Sequence, residues 1–202
     1  MLKVGVTGGI GSGKSTVTKM LREKHFPIVD ADIVAREVLI INSQVLSQIK
    51  EEFGYEFFDE KGELKRKEFG NYIFKSNTLR KKLESIMMPF IISEINHRIK
   101  AYEENNCKLC FIDAPTLIEN NMHTSMDVVI LVWVGSDVQI QRTMQRDDIT
   151  LEAAMDRISA QMPIDEKKKF ADFIINNEGS IENSKLQLDS IIAELERLDV
   201  IK

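Results

Sequence analysis

The hydrophobic pattern along the chain predicts five short buried strands separated by helices. Near-continuous apolar runs occur at residues 2–6, 26–32, 108–115, 127–134 and 172–177. Such runs are typical of strands that are buried on both faces of a parallel sheet, and the segments between them repeat apolar residues at helical spacing. The pattern therefore predicts an α/β domain with a doubly wound, mostly parallel five-stranded sheet that helices cover on both sides.

Residues 35–106 lie between the second and third predicted strands and are too many for a single crossover helix. Their pattern is mainly helical, and it includes a long run at 77–102 that Pro89 is expected to interrupt. We interpret this segment as an inserted helical subdomain that binds a second substrate. A purely structural helical insert is the alternative.

Residues 136–163 follow the fourth predicted strand and contain arginines at helical spacing. Arg142 and Arg146 are four residues apart, so both side chains project from one helix face, and Thr150 is placed to cap a second helix that carries Arg157. These cations could pair with aspartates of the same segment or act on a bound phosphate. We interpret the segment as a lid over a nucleotide-binding core formed by 1–34, 107–135 and 164–202.

The stretch TGGIGSGKST, residues 7–16, connects the first predicted strand to a helix and contains four of the ten glycines. Gly8, Gly13, Lys14 and Ser15 match the GxxxxGK[ST] phosphate-loop pattern, whose backbone N–H groups cradle phosphates at a helix N-terminus. In this pattern the lysine reaches the β- and γ-phosphates and the hydroxyl binds Mg²⁺. The pattern therefore predicts a phosphate-binding loop with a Mg²⁺ ion, which motors, switch GTPases, binding modules and kinases share. The predicted nucleotide-binding residues of the loop are Gly8, Gly9, Gly11, Ser12, Gly13, Lys14, Ser15 and Thr16.

Two aspartates near the ends of predicted strands are candidates for the chemistry. Asp32, in DAD at 30–32, could orient the proton of an acceptor hydroxyl, whereas Asp30 is the better candidate for a helix cap. Asp113 ends the third predicted strand, where it is expected at the same edge of the sheet as the phosphate loop. The chain has no NKxD-like guanine motif, and Asp113 leads into APTLIE rather than into DxxG. The pattern therefore favours a small-molecule kinase over a switch GTPase.

Composition excludes several other classes of protein. With 202 residues, 43% of them hydrophobic, and a net charge of −5, the chain can bury a full core and is not a nucleic-acid binder driven by overall charge. No apolar run reaches the 18 residues of a membrane span, so we expect a cytoplasmic protein. Cys107 and Cys110 have CxxC spacing, but no second pair completes a zinc site, and we expect structural cysteines.

The chain resembles the dephospho-coenzyme A kinase family. The resemblance rests on GVTGGIGSGKSTV, IVDADIVAREV, IDAPTLIEN, QRTMQRD, RISAQMP and ADFIINNEG, which occur in this order over nearly the whole length. The first stretch is common to phosphate-loop proteins, whereas its combination with the others is specific.

The resemblance implies ATP-dependent phosphorylation of the ribose 3′-hydroxyl of dephospho-CoA. It implies that Asp32 acts on that hydroxyl, that Arg142 closes on the phosphates, and that Asn177 and Gly179 lie beside the adenine. It also implies that Asp113 is a magnesium ligand through water; a purely structural carboxylate at the strand end is the alternative. The family usually has His-Pro where this chain has Met88-Pro89, so the acceptor site could differ. It usually has Pro-Leu-Leu where this chain has Pro115, Thr116 and Leu117.

Two other functions stay open at this stage. One is a kinase of the same architecture that acts on another nucleoside, nucleotide or small alcohol. The other is an ATP-binding sensor, against which Asp32 and the arginine-bearing lid argue. The acceptor-contacting residues of 35–106 are not identified by any pattern, although basic residues there could meet the acceptor's pyrophosphate. These are Lys65, Arg66, Lys67, Arg80, Lys81 and Lys82.

Overall fold

The computed structural model describes residues 1–73 and 75–201. Its elements, in chain order, are β1 (Leu2–Gly8), α1 (Lys14–Glu23), β2 (Ile28–Asp30), α2 (Ala31–Ile41), α3 (Ser43–Phe53), α4 (Arg66–Ile73), α5 (Asn77–Glu104), β3 (Leu109–Asp113), β4 (Val128–Trp133), α6 (Ser136–Asp147), α7 (Leu151–Ser159), α8 (Ile164–Lys167), β5 (Phe173–Asn176) and α9 (Ile181–Ile201). Short 3₁₀ turns lie at Tyr55–Phe57, Met122–Ser125 and Lys168–Phe170.

The five strands form one sheet with the order β2-β3-β1-β4-β5, and every neighbouring pair is parallel. In the register, Val6 of β1 pairs with Asp113 of β3, and Asp30 of β2 pairs with the same residue. The predicted α/β fold with a parallel five-stranded sheet is thus confirmed. Because all strands run the same way, their carboxyl ends and the loops that follow them lie along one edge of the sheet.

Helices α1 and α9 pack on one face of the sheet. Val17 and Leu21 of α1 and Leu188 and Leu195 of α9 are fully buried in one apolar cluster with residues of β1, β3 and β4. Burying a side chain of this size contributes about 1.5–3 kcal/mol. This packing fixes the direction of α1, and with it the position of the loop that precedes the helix.

The chain divides into two compact units. The first comprises Met1–Asp30 and Ile99–Lys202 and contains the sheet, and the second is Ala31–Arg98. Within the second unit, Phe53 and Phe69 pack edge to face with ring centroids 5.4 Å apart, and Val45 and Ile49 of α3 are fully buried. This unit therefore has a hydrophobic core of its own.

Two local expectations are wrong. Helix α5 runs through Pro89 without a break, although a mid-helix proline costs about 3 kcal/mol, because burial of its apolar side chains, among them Ile91 and Ile95, offsets that cost. Strand β2 ends at Asp30 rather than at Asp32, since the helical pattern of α2 begins directly at Ala31. Asp32 therefore lies in the first turn of α2.

Cys107 and Cys110 are both free thiols, and Cys110 is fully buried in β3. Burial raises the pKa of the Cys110 thiol to about 12. The thiol is therefore protonated at neutral pH and is not a nucleophile. None of the helices in the described ranges is long and apolar enough to span a membrane.

Candidate active site

The loop between β1 and α1 has the backbone geometry of an anion cradle. Gly11 and Gly13 have φ angles of 75° and 84°, in the left-handed region that favours glycine, and the Ser12 N–H donates to the Gly9 carbonyl at 3.0 Å. Gly13 is the N-cap residue of α1, and no side chain caps this helix end. The first amides of α1 are therefore available to bind an anion, which the helix dipole also favours.

The loop borders a cavity of about 450 Å³ in the first unit. The cavity brings together the predicted loop glycines, Lys14, Ser15 and the predicted lid residue Arg142. Four further residues also line the cavity: Ile10, Pro115, Arg146 and Gln161. The sequence pattern predicts no binding role for Ile10, Pro115 or Gln161, and it leaves open whether Arg146 acts on a bound phosphate. Positive side chains and free amides thus surround a space of the size of a small ligand site.

Lys14 forms an ion pair with Asp113, whose side chain is buried at the end of β3. The register of β1 and β3 sets this pair, because it places Asp113 beside Val6, two residues before Gly8, the first glycine of the phosphate-loop pattern. An ammonium group has three donors. The contact with Asp113 therefore holds Lys14 at the cavity and leaves donors for phosphate oxygens.

Asn177 connects three parts of the site. Its Nδ2 donates to the Ser12 carbonyl at 2.8 Å, and its backbone carbonyl accepts from Arg142 Nη2 at 3.0 Å. Ser184 of α9 donates to Asn177 Oδ1 at 2.6 Å, which fixes the amide orientation. Asn177 is buried. Its side chain therefore links the phosphate loop to α9, and its backbone carbonyl positions Arg142. Gly179, two residues on, lies in the turn before α9, outside the residues that line the cavity.

The hydroxyl-bearing residues of the loop differ in their exposure and contacts. Ser12 is fully buried, and its hydroxyl has no hydrogen-bond partner among residues 1–73 and 75–201. Thr16 lies in the first turn of α1, where its N–H donates to the Gly13 carbonyl at 2.9 Å. Ser15 is exposed at the cavity and is the loop hydroxyl that an ion could reach.

Oxygen donors for a metal ion are present at the cavity, in Ser15, and beside it, in Asp113, which pairs with Lys14. Within the described ranges, no group of three or more His, Cys, Asp or Glu side chains could hold a metal ion. Mg²⁺ in nucleotide sites normally needs one or two protein oxygens and takes its other ligands from phosphates and water. The Ser15 hydroxyl and the Asp113 carboxylate are oxygen donors of the type that Mg²⁺ prefers.

The predicted lid segment forms two helices, and Thr150 caps the second, accepting from the Ala153 N–H at 3.3 Å. Asp147 pairs with Arg146 at 2.8 Å and also with Arg157, so it connects α6 and α7. Hydrogen bonding from Arg146, and less from Arg157, lowers the pKa of Asp147 to about 2. The connection is therefore intact throughout the neutral range.

The end of this segment is anchored to the core by side chains that the sequence reasoning did not single out. The Ile10 N–H donates to Gln161 Oε1 at 2.9 Å, and the Met162 N–H donates to Glu119 Oε1 at 3.1 Å. Glu119 also pairs with Lys167 at 2.9 Å. Lys167 is fully buried, and burial lowers the pKa of its ammonium group.

Asp30 and Asp32 occupy different environments. Asp30 accepts a hydrogen bond from Arg22 at 3.1 Å and pairs in register with Asp113. Asp32 follows it by two residues and lies in the second unit, in the first turn of α2. A carboxylate in the first turn of a helix is favoured by the helix dipole.

The fold and the cavity together define a kinase of the phosphate-loop class. Shikimate kinase from Acinetobacter baumannii has the same fold, with a TM-score of 0.54 over 98% of this chain and 94% of that chain, at 15% identity. At this identity the likeness concerns the fold alone.

The chain belongs to the dephospho-CoA kinase family, whose model matches residues 2–183. It is 46% identical over 192 residues to the dephospho-CoA kinase of Clostridium perfringens, covering 95% of this chain and 96% of the relative. It is 44% identical over 191 residues to that of Clostridium tetani, covering 94% and 84%.

Two solved structures share the fold, and the first of them carries the name of this family. Dephospho-CoA kinase from Campylobacter jejuni aligns with a TM-score of 0.65 and 28% identity over 96% of each chain. TT1252 from Thermus thermophilus aligns with a TM-score of 0.77 and 29% identity over 96% of this chain and 97% of that chain.

Proposed function

We propose that the chain transfers the γ-phosphoryl group of ATP to the 3′-hydroxyl of dephospho-CoA, which yields CoA and ADP. The observation that carries this proposal is the phosphate-loop cavity, where free helix amides, Lys14 and Arg142 border one space. Membership of the dephospho-CoA kinase family supports the choice of acceptor. Phosphoryl transfer depends on positioning and on neutralising negative charge, and this cavity supplies both.

Within the reaction, Lys14 binds the β- and γ-phosphates while Asp113 keeps its ammonium group at the cavity. Arg142 approaches the transferred group from α6, held by the Asn177 carbonyl at 3.0 Å. Ser15 and, through water, Asp113 would hold Mg²⁺. When bound, this ion neutralises charge on the phosphate oxygens.

We assign to Asp32 the role of accepting the proton of the acceptor hydroxyl. The support is its place in the chain: Asp30 pairs with Asp113 at the carboxyl edge of the sheet, and Asp32 is two residues further on. A carboxylate there accepts the proton of the attacking hydroxyl as the new bond to phosphorus forms. The second unit, Ala31–Arg98, is the proposed acceptor-binding part of the chain.

The basic residues proposed to bind the acceptor's pyrophosphate differ in whether they already contact other groups of the protein. Lys82 pairs with Glu52, and Lys65 Nζ donates to the Glu56 carbonyl at 3.2 Å. All of these basic residues except the half-buried Arg80 are exposed, but Arg66, Lys67 and Lys81 also form no ion pair or side-chain hydrogen bond within the described ranges. Exposed basic side chains can meet a pyrophosphate with little rearrangement, so these three are the preferred candidates.

The test is release of ADP from Mg-ATP with dephospho-CoA, measured beside nucleosides, nucleoside monophosphates and a blank without acceptor. The product is identified by its mass. We expect ADP release that depends on dephospho-CoA, with CoA formed in equal amount. If dephospho-CoA is inert and another alcohol is phosphorylated, the proposed acceptor is wrong while the phosphoryl-transfer site stands.

A further inference from the structure

Gln161 lies where the segment after α7 returns to the core. It borders the phosphate cavity together with Lys14 and Arg142, and its Oε1 accepts a hydrogen bond from the Ile10 N–H at 2.9 Å. The residue thus contacts the phosphate loop directly, although it is 151 positions from Ile10 in the chain.

The contact with Ile10 determines which atom of the Gln161 side-chain amide remains available for a further hydrogen bond. A backbone N–H can only donate, so the carboxamide oxygen must face Ile10, and Nε2 keeps two hydrogens to donate. Nε2 has no hydrogen-bond partner among residues 1–73 and 75–201. The Nε2 group of Gln161 is therefore a hydrogen-bond donor that remains available beside the phosphate-loop cavity.

The backbone next to Gln161 is fixed independently. The Met162 N–H donates to Glu119, and Glu119 pairs with the buried Lys167. Lys167 also donates to the Pro115 carbonyl at 2.8 Å, and Pro115 borders the same cavity. The amide of Gln161 is therefore held in place before any ligand binds, which makes a hydrogen bond from it more effective in stabilising charge.

The position of Ile10 indicates which phosphate Gln161 reaches. The phosphate-loop pattern would place the α- and β-phosphates on the amides where α1 begins, at Gly13 to Ser15, and Ile10 belongs to the opposite half of the loop. We propose that Gln161 Nε2 donates a hydrogen bond to an oxygen of the terminal phosphoryl group of ATP. This inference rests on the nucleotide part of the proposed function and is independent of the acceptor.

The test compares Gln161→Glu with Gln161→Met by calorimetric titration with Mg-ATP and Mg-ADP, without acceptor. Gln161→Glu keeps an oxygen for Ile10 but replaces the donor by a negative charge, whereas Gln161→Met removes both hydrogen bonds at similar length. We expect Gln161→Glu to weaken ATP binding by about tenfold or more, because a donor is lost and a negative charge is placed beside the terminal phosphoryl group, and ADP binding by less than about threefold. Gln161→Met should weaken ATP binding less than Gln161→Glu does, but more than it weakens ADP binding.

A role limited to anchoring the loop gives no preference between the two nucleotides. Gln161→Glu would then weaken ATP and ADP binding by similar factors, because the added charge repels both, and Gln161→Met would lose ATP and ADP affinity alike; either result overturns the proposal. Gln48→Glu, at an exposed position of α3, adds the same charge as a control and should change neither affinity. If the unaltered protein binds no ATP, the proposed function fails as well, whereas an inert acceptor leaves this assignment standing.

Discussion

Gly13 is a residue at which the phosphate loop tolerates little change. Its φ of 84° is strained for any other residue, and a Cβ would collide with the Asn177 amide that holds the Ser12 carbonyl. We expect Gly13→Ala to lower the free energy of unfolding by about 1–3 kcal/mol and to abolish ATP binding, because the helix amides would be displaced. Urea unfolding and calorimetric titration with Mg-ATP measure the two effects.

Gly62 offers a matched control for this prediction. Its φ is 80°, but the nearest atom that a Cβ would meet is Lys50 Nζ at 3.5 Å. Gly62→Ala should therefore show only the backbone strain, about 1–2 kcal/mol, with unchanged ATP binding. Similar ATP affinity in the Gly13 and Gly62 variants would contradict the geometry described for the loop.

Asp32 carries the second prediction at this scale. Asp32→Asn should bind ATP normally but turn over about 10²- to 10⁴-fold more slowly, because the amide cannot accept the hydroxyl proton. Steady-state kinetics with dephospho-CoA and equilibrium titration with ATP separate these two properties. Asp32→Glu, which keeps a carboxylate, should recover part of the rate. Unchanged turnover in Asp32→Asn would remove this residue from the mechanism.

Individual site residues were predictable only where local sequence determines them. Gly13, Lys14 and Ser15 follow from a contiguous pattern whose spacing is set by the geometry of one loop. The hydrogen bonds of Asn177 join it to Ser12, 165 residues earlier, and no local pattern encodes such a contact. Gln161 lies in the motif RISAQMP, but nothing in its neighbours indicates that its amide meets the phosphate loop.

At the scale of elements, the Glu119–Lys167 pair stabilises the junction between α8 and the loop after β3. Lys167 is fully buried, and Glu119 compensates its charge at 2.9 Å. Removing one partner of a buried pair typically costs about 3–5 kcal/mol. We therefore expect Glu119→Gln to lower the free energy of unfolding at pH 7 by an amount of about this size, measured by urea unfolding.

The pH dependence of this loss has a definite sign. Burial lowers the pKa of Lys167 below its ordinary 10.5, and Glu119 opposes the shift, so removing Glu119 lowers that pKa further. Between the folded pKa and 10.5 the unfolded chain binds more protons, so the free energy of unfolding rises with pH in that window. The deficit of Glu119→Gln should thus be full at neutral pH and shrink towards pH 10. Glu166→Gln, which alters the exposed pair with Lys169, should show neither effect.

Elements were predictable where hydrophobic pattern and packing agree. All five strands follow from their apolar runs, because a strand covered on both faces admits few polar residues. The interruption expected at Pro89 was wrong because burial outweighs the local preference of proline in α5. Similarly, nothing in the charged run at 165–169 distinguishes Lys167, whose burial depends on a partner 48 residues earlier.

For the whole molecule, the division into two units predicts which backbone amides each substrate protects from hydrogen exchange. Every residue that borders the phosphate cavity belongs to the first unit, Met1–Asp30 and Ile99–Lys202. Mg-ADP alone should therefore slow hydrogen exchange of amides in that unit, most strongly in the loop and in α6, and leave Ala31–Arg98 nearly unchanged, because a ligand stabilises the part to which it binds. Adding dephospho-CoA should extend protection into Ala31–Arg98.

Hydrogen exchange followed by mass spectrometry of peptides resolves the two units, with the Gly13→Ala variant as a control that should show no nucleotide-dependent protection. Protection of Ala31–Arg98 by Mg-ADP alone would mean that this unit responds to the nucleotide, and that it is more than the acceptor-binding part of the chain.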